Sequence, residues 1–154
     1  MTHRIPVLKK VPGAYEAYRS FNELVEKAAA NAGVDGLLVE LVKYRASQIN
    51  GCAYCLDMHS TAALKLGEDM RRLLVLDAWR DADLFTEQER AALELTEAIT
   101  RLSETRDVPD ELYERATALF TEDQYAAVLW LIMAINGWHR LTVPSHTPLP
   151  RAGR

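Results

Sequence analysis

The sequence predicts an all-α protein of several helices, and three observations carry that expectation. Nearly every segment repeats its apolar residues with a 3.6-residue period. Cap residues and glycines punctuate these segments at helical lengths, and no window sustains the alternation of a strand. At 154 residues, with 49% hydrophobic and 26% charged, the chain has the size and balance of one soluble globular domain. We therefore expect a single domain over 1–154, with arms at 1–13 and 144–154. A net charge of −4 and a pI near 5.6 weigh against nucleic acid or an anionic membrane as partner. No basic stretch precedes an apolar one near the N-terminus, so the expected location is cytoplasmic. The longest apolar run, 125–135, is short of the roughly 20 residues of a membrane span.

Taken in order, Pro6, Pro12 and Gly13 suggest an extended N-terminal arm. The first helix is expected over 14–31, burying Tyr18, Phe21, Val25 and Ala28, with Gly33 past its end. Asp35 is a good N-cap for a second helix that turns Leu37, Leu38, Leu41 and Val42 inward and stops at Asn50-Gly51. A third carries the sequence's only cysteines and ends near Leu66, where Gly67 stops it. A short helix over 69–80 follows. Thr86 and Glu89 then form a capping box that leads Leu95, Ile99 and Leu102 into the core. Pro109 suits the start of a helix over 110–120. Thr121 and Gln124 form a second capping box before the most apolar helix, which is expected to end near Asn136-Gly137. Its apolarity on nearly all sides implies burial within or between subunits. From Pro144 onward a non-helical tail is expected. Ile49-Asn50-Gly51 recurs as Ile135-Asn136-Gly137, which would suit a duplicated helix-turn-helix unit.

The chemistry concentrates in the run INGCAYCLDMH. Cys52 and Cys55 are three apart and His59 follows four later, so all three lie on one helical face. Gly51 places Cys52 at the helix N-terminus, where the macrodipole favours a thiolate. An imidazole one turn beyond Cys55 can take the thiol proton or pair with the thiolate. A lone Cys-x-x-Cys also fits half of a zinc site, or two small buried hydrophobes. Glu40 lies within LLVELV, where partial burial demands a partner. It could orient His59 with a carboxyl pKa raised by desolvation, or face water and pair with Lys43 or Tyr44. The tryptophans read as packing residues, and His139 and His146, lacking acidic or thiol companions at helical spacing, as surface or interface residues.

The text ELVKYRASQINGCAYCLDMH, with Glu40 twelve before Cys52, resembles the alkyl hydroperoxidase D-like proteins of the carboxymuconolactone decarboxylase superfamily. Its specific part spans about 37–67, and the helix after Thr86 and the AINGWHRL segment resemble later family helices. The resemblance implies an all-helical homo-oligomer, a trimer or a hexamer of dimers. It also implies a thiol-dependent peroxidase in which Glu40, a water and His59 deprotonate Cys55. Cys55 would attack the hydroperoxide to form a sulfenic acid, and the more accessible Cys52 would close the disulfide. A dithiol donor, in some members a lipoyl-bearing protein, would then restore the thiols. No cofactor or metal is expected under this reading. The best-studied branch has histidine where this chain has Tyr54, which cannot act as a base at neutral pH. Helix position favours Cys52 as the first thiolate, while proximity to His59 favours Cys55. Two alternatives stand beside the peroxidase: a disulfide oxidoreductase or redox sensor, and a zinc module using Cys52, Cys55, His59 and Glu40.

Overall fold

The computed structural model describes residues 4–149, and these contain helices joined by turns, with no strand among them. The helices are α1 (Val7–Lys10), α2 (Pro12–Asn31), α3 (Gly36–Asn50), α4 (Ala53–Lys65), α5 (Met70–Val75), α6 (Glu87–Thr100), α7 (Leu102–Thr105), α8 (Asp110–Leu119) and α9 (Glu122–Ser145), with a 3₁₀ turn at Leu76–Ala78 after α5. Helix α3 lies at the centre, packed against α4, α6 and α9, while α2 covers the other side of α9. The larger core joins α2, α3, α6, α8 and α9 through Val25, Leu38, Leu95, Leu131 and Ile132. A second cluster, with Leu41, Leu76, Trp79 and Leu93, seats α4 and α5 against α3 and α6.

The caps act where the sequence places them. The Asp35 side chain accepts from Leu37 N–H at 2.7 Å. Both capping boxes form, Thr86 with Glu89 and Thr121 with Gln124. Gly51 and Gly67 adopt φ of 66° and 97° and close α3 and α4.

Several expectations need correction. The N-terminal arm is partly helical: α1 forms one turn, and α2 begins at Pro12 because proline is pre-organised for a first helical position. Within α2 it is Ala29, not Ala28, that is buried. Leu37 is only half-buried, and Leu102 is exposed in the short α7, beyond the end of the α6 stripe.

The largest departure is the end of α9, which runs through Asn136-Gly137 to Ser145. Gly137 is there for close approach and does not stop the helix. A Cβ built on it would lie 1.9 Å from the Tyr18 hydroxyl, which donates to Ala134 O at 2.7 Å. The two Ile-Asn-Gly segments therefore differ: Gly51 ends a helix, and Gly137 admits a neighbour's ring. Pro144 is tolerated in the last turn because it leaves a single carbonyl, that of exposed Arg140, without its helical partner. Its own carbonyl accepts from Arg4 at 2.9 Å, which ties the N-terminal arm to this end of α9. Helix α9 has the length and composition of a membrane-crossing helix, and half of its most apolar window is buried in the fold. Gly137→Ala should lower the unfolding free energy by about 3 kcal/mol, since Tyr18 must leave its site. Urea titration of Gly137→Ala, Tyr18→Leu and the double variant checks this, with strong non-additivity expected.

Candidate active site

The site grows from the junction of α3 and α4. Gly51 turns the chain so that Cys52 N–H donates to Ser47 O at 3.0 Å. Cys52 becomes the N-cap of α4, its sulfur accepting from Cys55 N–H at 3.3 Å. The two sulfurs are joined in a disulfide with a Cα–Cα distance of 5.3 Å. Cys52 and Cys55 are only 2% and 1% exposed, so Cys52 is not the open member of the pair that its position at the helix end suggested. The reason is α9, which continues past Gly137 and lays Thr142 over both sulfurs. The Thr142 hydroxyl stands 3.2 Å from Cys52 Sγ and 3.7 Å from Cys55 Sγ, and donates to Trp138 O at 3.0 Å.

Glu40 and His59 come together as a buried pair. Glu40 Oε2 lies 2.8 Å from His59 Nδ1. A carboxylate can only accept, so Nδ1 carries a proton, and Nε2 is the ring nitrogen left to exchange one. That Nε2 is buried and has no hydrogen-bond partner among the described residues. Lys43 Nζ lies 3.5 Å from the other Glu40 oxygen, and it also pairs with Glu26. Glu40 thus contacts both His59 and Lys43, but it is buried and does not face water. Burial by itself would raise the Glu40 carboxyl, but the His59 hydrogen bond and the Lys43 charge outweigh it and hold it below the usual carboxylate range. The expected upward shift is corrected in sign.

His139, expected at the surface or in an interface, belongs to the site instead; it is 2% exposed and lies behind the disulfide. A ring nitrogen of His139 and both sulfurs lie within 4.8 Å of one another. Ser47 Oγ already donates to Lys43 O, so at 3.0 Å it accepts from His139 Nε2–H. That leaves the Nδ1 lone pair facing the Asn50 amide nitrogen at 2.9 Å. The same amide nitrogen lies 3.0 Å from Asn136 Oδ1, and Asn136 in turn donates to Thr100 at 3.0 Å. A second ring proton would point at an N–H donor, so the network holds His139 neutral. Burial, with the charges of His59 and Arg140, lowers its pKa to about 4. Its companions come from α3, not from its own helix. The legible signal was the recurrence of Asn50 and Asn136, with His139 three residues after the second.

This arrangement revises the zinc alternative. The compact donor group is Cys52, Cys55 and His139, without Glu40 or His59. Both His139 ring nitrogens already face protein partners, so a metal would have to displace Ser47 or Asn50. The neutral state has a measurable consequence. With the folded pKa near 4 and the unfolded one near 6.5, the unfolded chain binds the proton more readily. Stability should therefore fall as pH drops from about 6.5 toward 4, by up to about 3 kcal/mol from this group. NMR of the imidazole checks it: the His139 ring should remain neutral at pH 5, and an imidazolium there would contradict the network.

Two clefts reach the disulfide. One, of about 170 Å³, leads to Cys55 between Tyr15, Met58, Ile135 and Trp138. The other, of about 280 Å³, leads to Cys52 past Gly51, Ala53, Val143 and His146. Tyr54, Thr142 and Thr147 line both.

Comparison with known proteins agrees with this architecture. The sequence profile of the carboxymuconolactone decarboxylase family matches residues 15–98. YdfG, an uncharacterised protein of Bacillus subtilis, is 42% identical over 119 residues, covering 77% of this chain and 80% of that one. A crystal structure from Agrobacterium tumefaciens, of a protein of unknown function described as a candidate antioxidant-defence protein AhpD, superposes with a TM-score of 0.87. It is 32% identical and the match covers 98% of this chain and all of that one. The debrominase Bmp8 shares the fold at a TM-score of 0.76 and 16% identity, over 94% of this chain and 75% of its own. The helical architecture, the Cys52–Cys55 pair at the start of α4 and these matches agree: the chain belongs to the carboxymuconolactone decarboxylase family, as an AhpD-like member.

Proposed function

We propose that the protein is a dithiol peroxidase that reduces organic hydroperoxides through Cys55 and Cys52. The observation that carries this reading is the Glu40–His59 pair. It holds an unpartnered Nε2 one helical turn from a buried, disulfide-forming cysteine. His59 Nε2 takes the Cys55 thiol proton through an intervening water, and Glu40 supports the positive charge that forms on the ring. The Cys55 thiolate attacks one peroxide oxygen and the O–O bond breaks. The alkoxide leaves as the alcohol with the proton from His59, and Cys55 becomes a sulfenic acid. Cys52 then attacks the Cys55 sulfur, water departs, and the disulfide forms. An external dithiol returns both cysteines to thiols and is itself oxidised to a disulfide. We further propose that the subunit assembles as a homo-trimer or homo-hexamer, with exposed Trp130 and Met133 of α9 among the faces covered.

Exchange with protein thiols, the nearest alternative, calls for an exposed sulfur, and the burial of both cysteines favours a small substrate. The test is consumption of cumene hydroperoxide with dihydrolipoamide or dithiothreitol as donor, with metal content measured on the same protein. Turnover that depends on both cysteines is expected. Stoichiometric zinc with unreactive thiols, or dithiol exchange without peroxide loss, would refute the proposal.

A further inference from the structure

We propose that the two half-reactions reach the disulfide through different clefts: the hydroperoxide at Cys55 through the smaller, mainly apolar cleft, and the dithiol reductant at Cys52 through the wider one. The peroxide half of this inference rests on the peroxidase reading above; the reductant half rests on the disulfide alone.

Each sulfur lines one cleft and not the other. Tyr54, Thr142 and Thr147 line both, so the two clefts adjoin along these residues, and the Thr142 hydroxyl lies 3.2 Å from one sulfur and 3.7 Å from the other. The cleft at Cys55 has Tyr15, Met58, Ile135 and Trp138 in its walls, with Arg19 as its one charged lining residue among the described residues, so most of its surface suits an alkyl or aryl chain. The cleft at Cys52 is bounded by Gly51 and exposed Ala53, which present nothing beyond a β-carbon, and so admits an extended dithiol arm.

The chemistry agrees with the geometry. When a donor thiolate attacks Cys52 Sγ, a mixed disulfide forms there and Cys55 leaves as a thiolate, to which His59, four residues on along α4, returns the proton through a water. The donor's second thiolate then attacks its own sulfur in the mixed disulfide. The Cys52 thiolate is released and protonated, and the donor closes to a cyclic disulfide.

Two substitutions separate the sides. Ala53 lines only the Cys52 cleft and Met58 only the Cys55 cleft, and both are exposed positions of α4. Ala53→Trp should slow reduction of the disulfide by dihydrolipoamide by about tenfold or more while oxidation of the reduced protein by cumene hydroperoxide stays within about twofold. Met58→Trp should do the reverse. Rapid mixing of each half-reaction, with circular dichroism to show that both variants are folded, gives the comparison. Equal slowing of both half-reactions by either variant, or reduction untouched by Ala53→Trp, would overturn the proposal. A bulky maleimide on the reduced protein gives an arm free of redox chemistry: peptide mapping should show Ala53→Trp protecting Cys52 and Met58→Trp protecting Cys55. If the wild type fails to react with any hydroperoxide, the peroxidase reading falls. The dihydrolipoamide and maleimide arms then still decide whether the clefts are separate.

Discussion

Cys55→Ser is expected to lower hydroperoxide consumption by at least about 10³-fold, because a serine hydroxyl is neither acidic nor nucleophilic enough to open an O–O bond. Cys52→Ser should behave differently. The variant should reduce close to one equivalent of hydroperoxide per site and then stop or slow sharply, since Cys55 can be oxidised but has no neighbour to close the disulfide. Stopped-flow consumption of cumene hydroperoxide at excess and at equimolar peroxide distinguishes the two. The substitutions should be mild for the fold: Cys52 caps α4 through its sulfur, and serine is a better N-cap acceptor. Full, repeated turnover in either variant would sink the two-cysteine mechanism.

Glu40→Gln is the second large effect. The glutamine oxygen can still accept from His59 Nδ1–H, so the ring keeps its orientation while the charge that supports imidazolium formation is lost. The rate of Cys55 oxidation should fall about 10²-fold, within the usual range for a disabled acid–base partner. Lys43 keeps Glu26 as partner, so no buried cation is stranded. The pH dependence follows from the lowered Glu40 pKa. A carboxyl whose folded pKa lies below its unfolded one stabilises the fold above the unfolded value and loses that contribution as pH falls through the folded value. The Glu40 carboxylate should therefore persist throughout the range from about pH 5 to 8. Oxidation rates measured across that range should show no limb that Glu40→Gln removes. An activity limb near neutrality that vanishes in the variant would mean that Glu40 is protonated there, against its contacts with His59 and Lys43.

The parts of the fold that local chemistry decides were legible. Asp35, Thr86 and Thr121 act as caps because their side chains bond backbone two or three residues on, and Gly51 and Gly67 take the left-handed conformation that only glycine adopts freely. Gly137 was not legible, because a close-approach glycine differs from a stop glycine only in its tertiary neighbour, here Tyr18, more than a hundred residues away. The same extension of α9 hid three features of the site. It buries Cys52 under Thr142, brings His139 behind the sulfurs, and gives each sulfur a separate cleft. Spacing grouped Cys52, Cys55 and His59 on one helical face, while Glu40 joined them only through the family resemblance. The structure brings them to one region, Glu40 and His59 in direct contact. The direction of the Glu40 shift was not legible, because it depends on Lys43 and His59 acting on one carboxylate at the same time. His139 escaped because its partners, Ser47 and Asn50, sit on α3, and spacing along one helix carries no information about them.

The proposed mechanism requires that Cys55 is the sulfur that meets the peroxide. Trapping with dimedone decides it. The reduced single-cysteine variants are treated with one equivalent of cumene hydroperoxide and the adduct is located by peptide mass spectrometry. Rapid adduct formation is expected on Cys55 in Cys52→Ser, with little or none on Cys52 in Cys55→Ser. An adduct found only on Cys52 would contradict it and reverse the roles of the two cysteines.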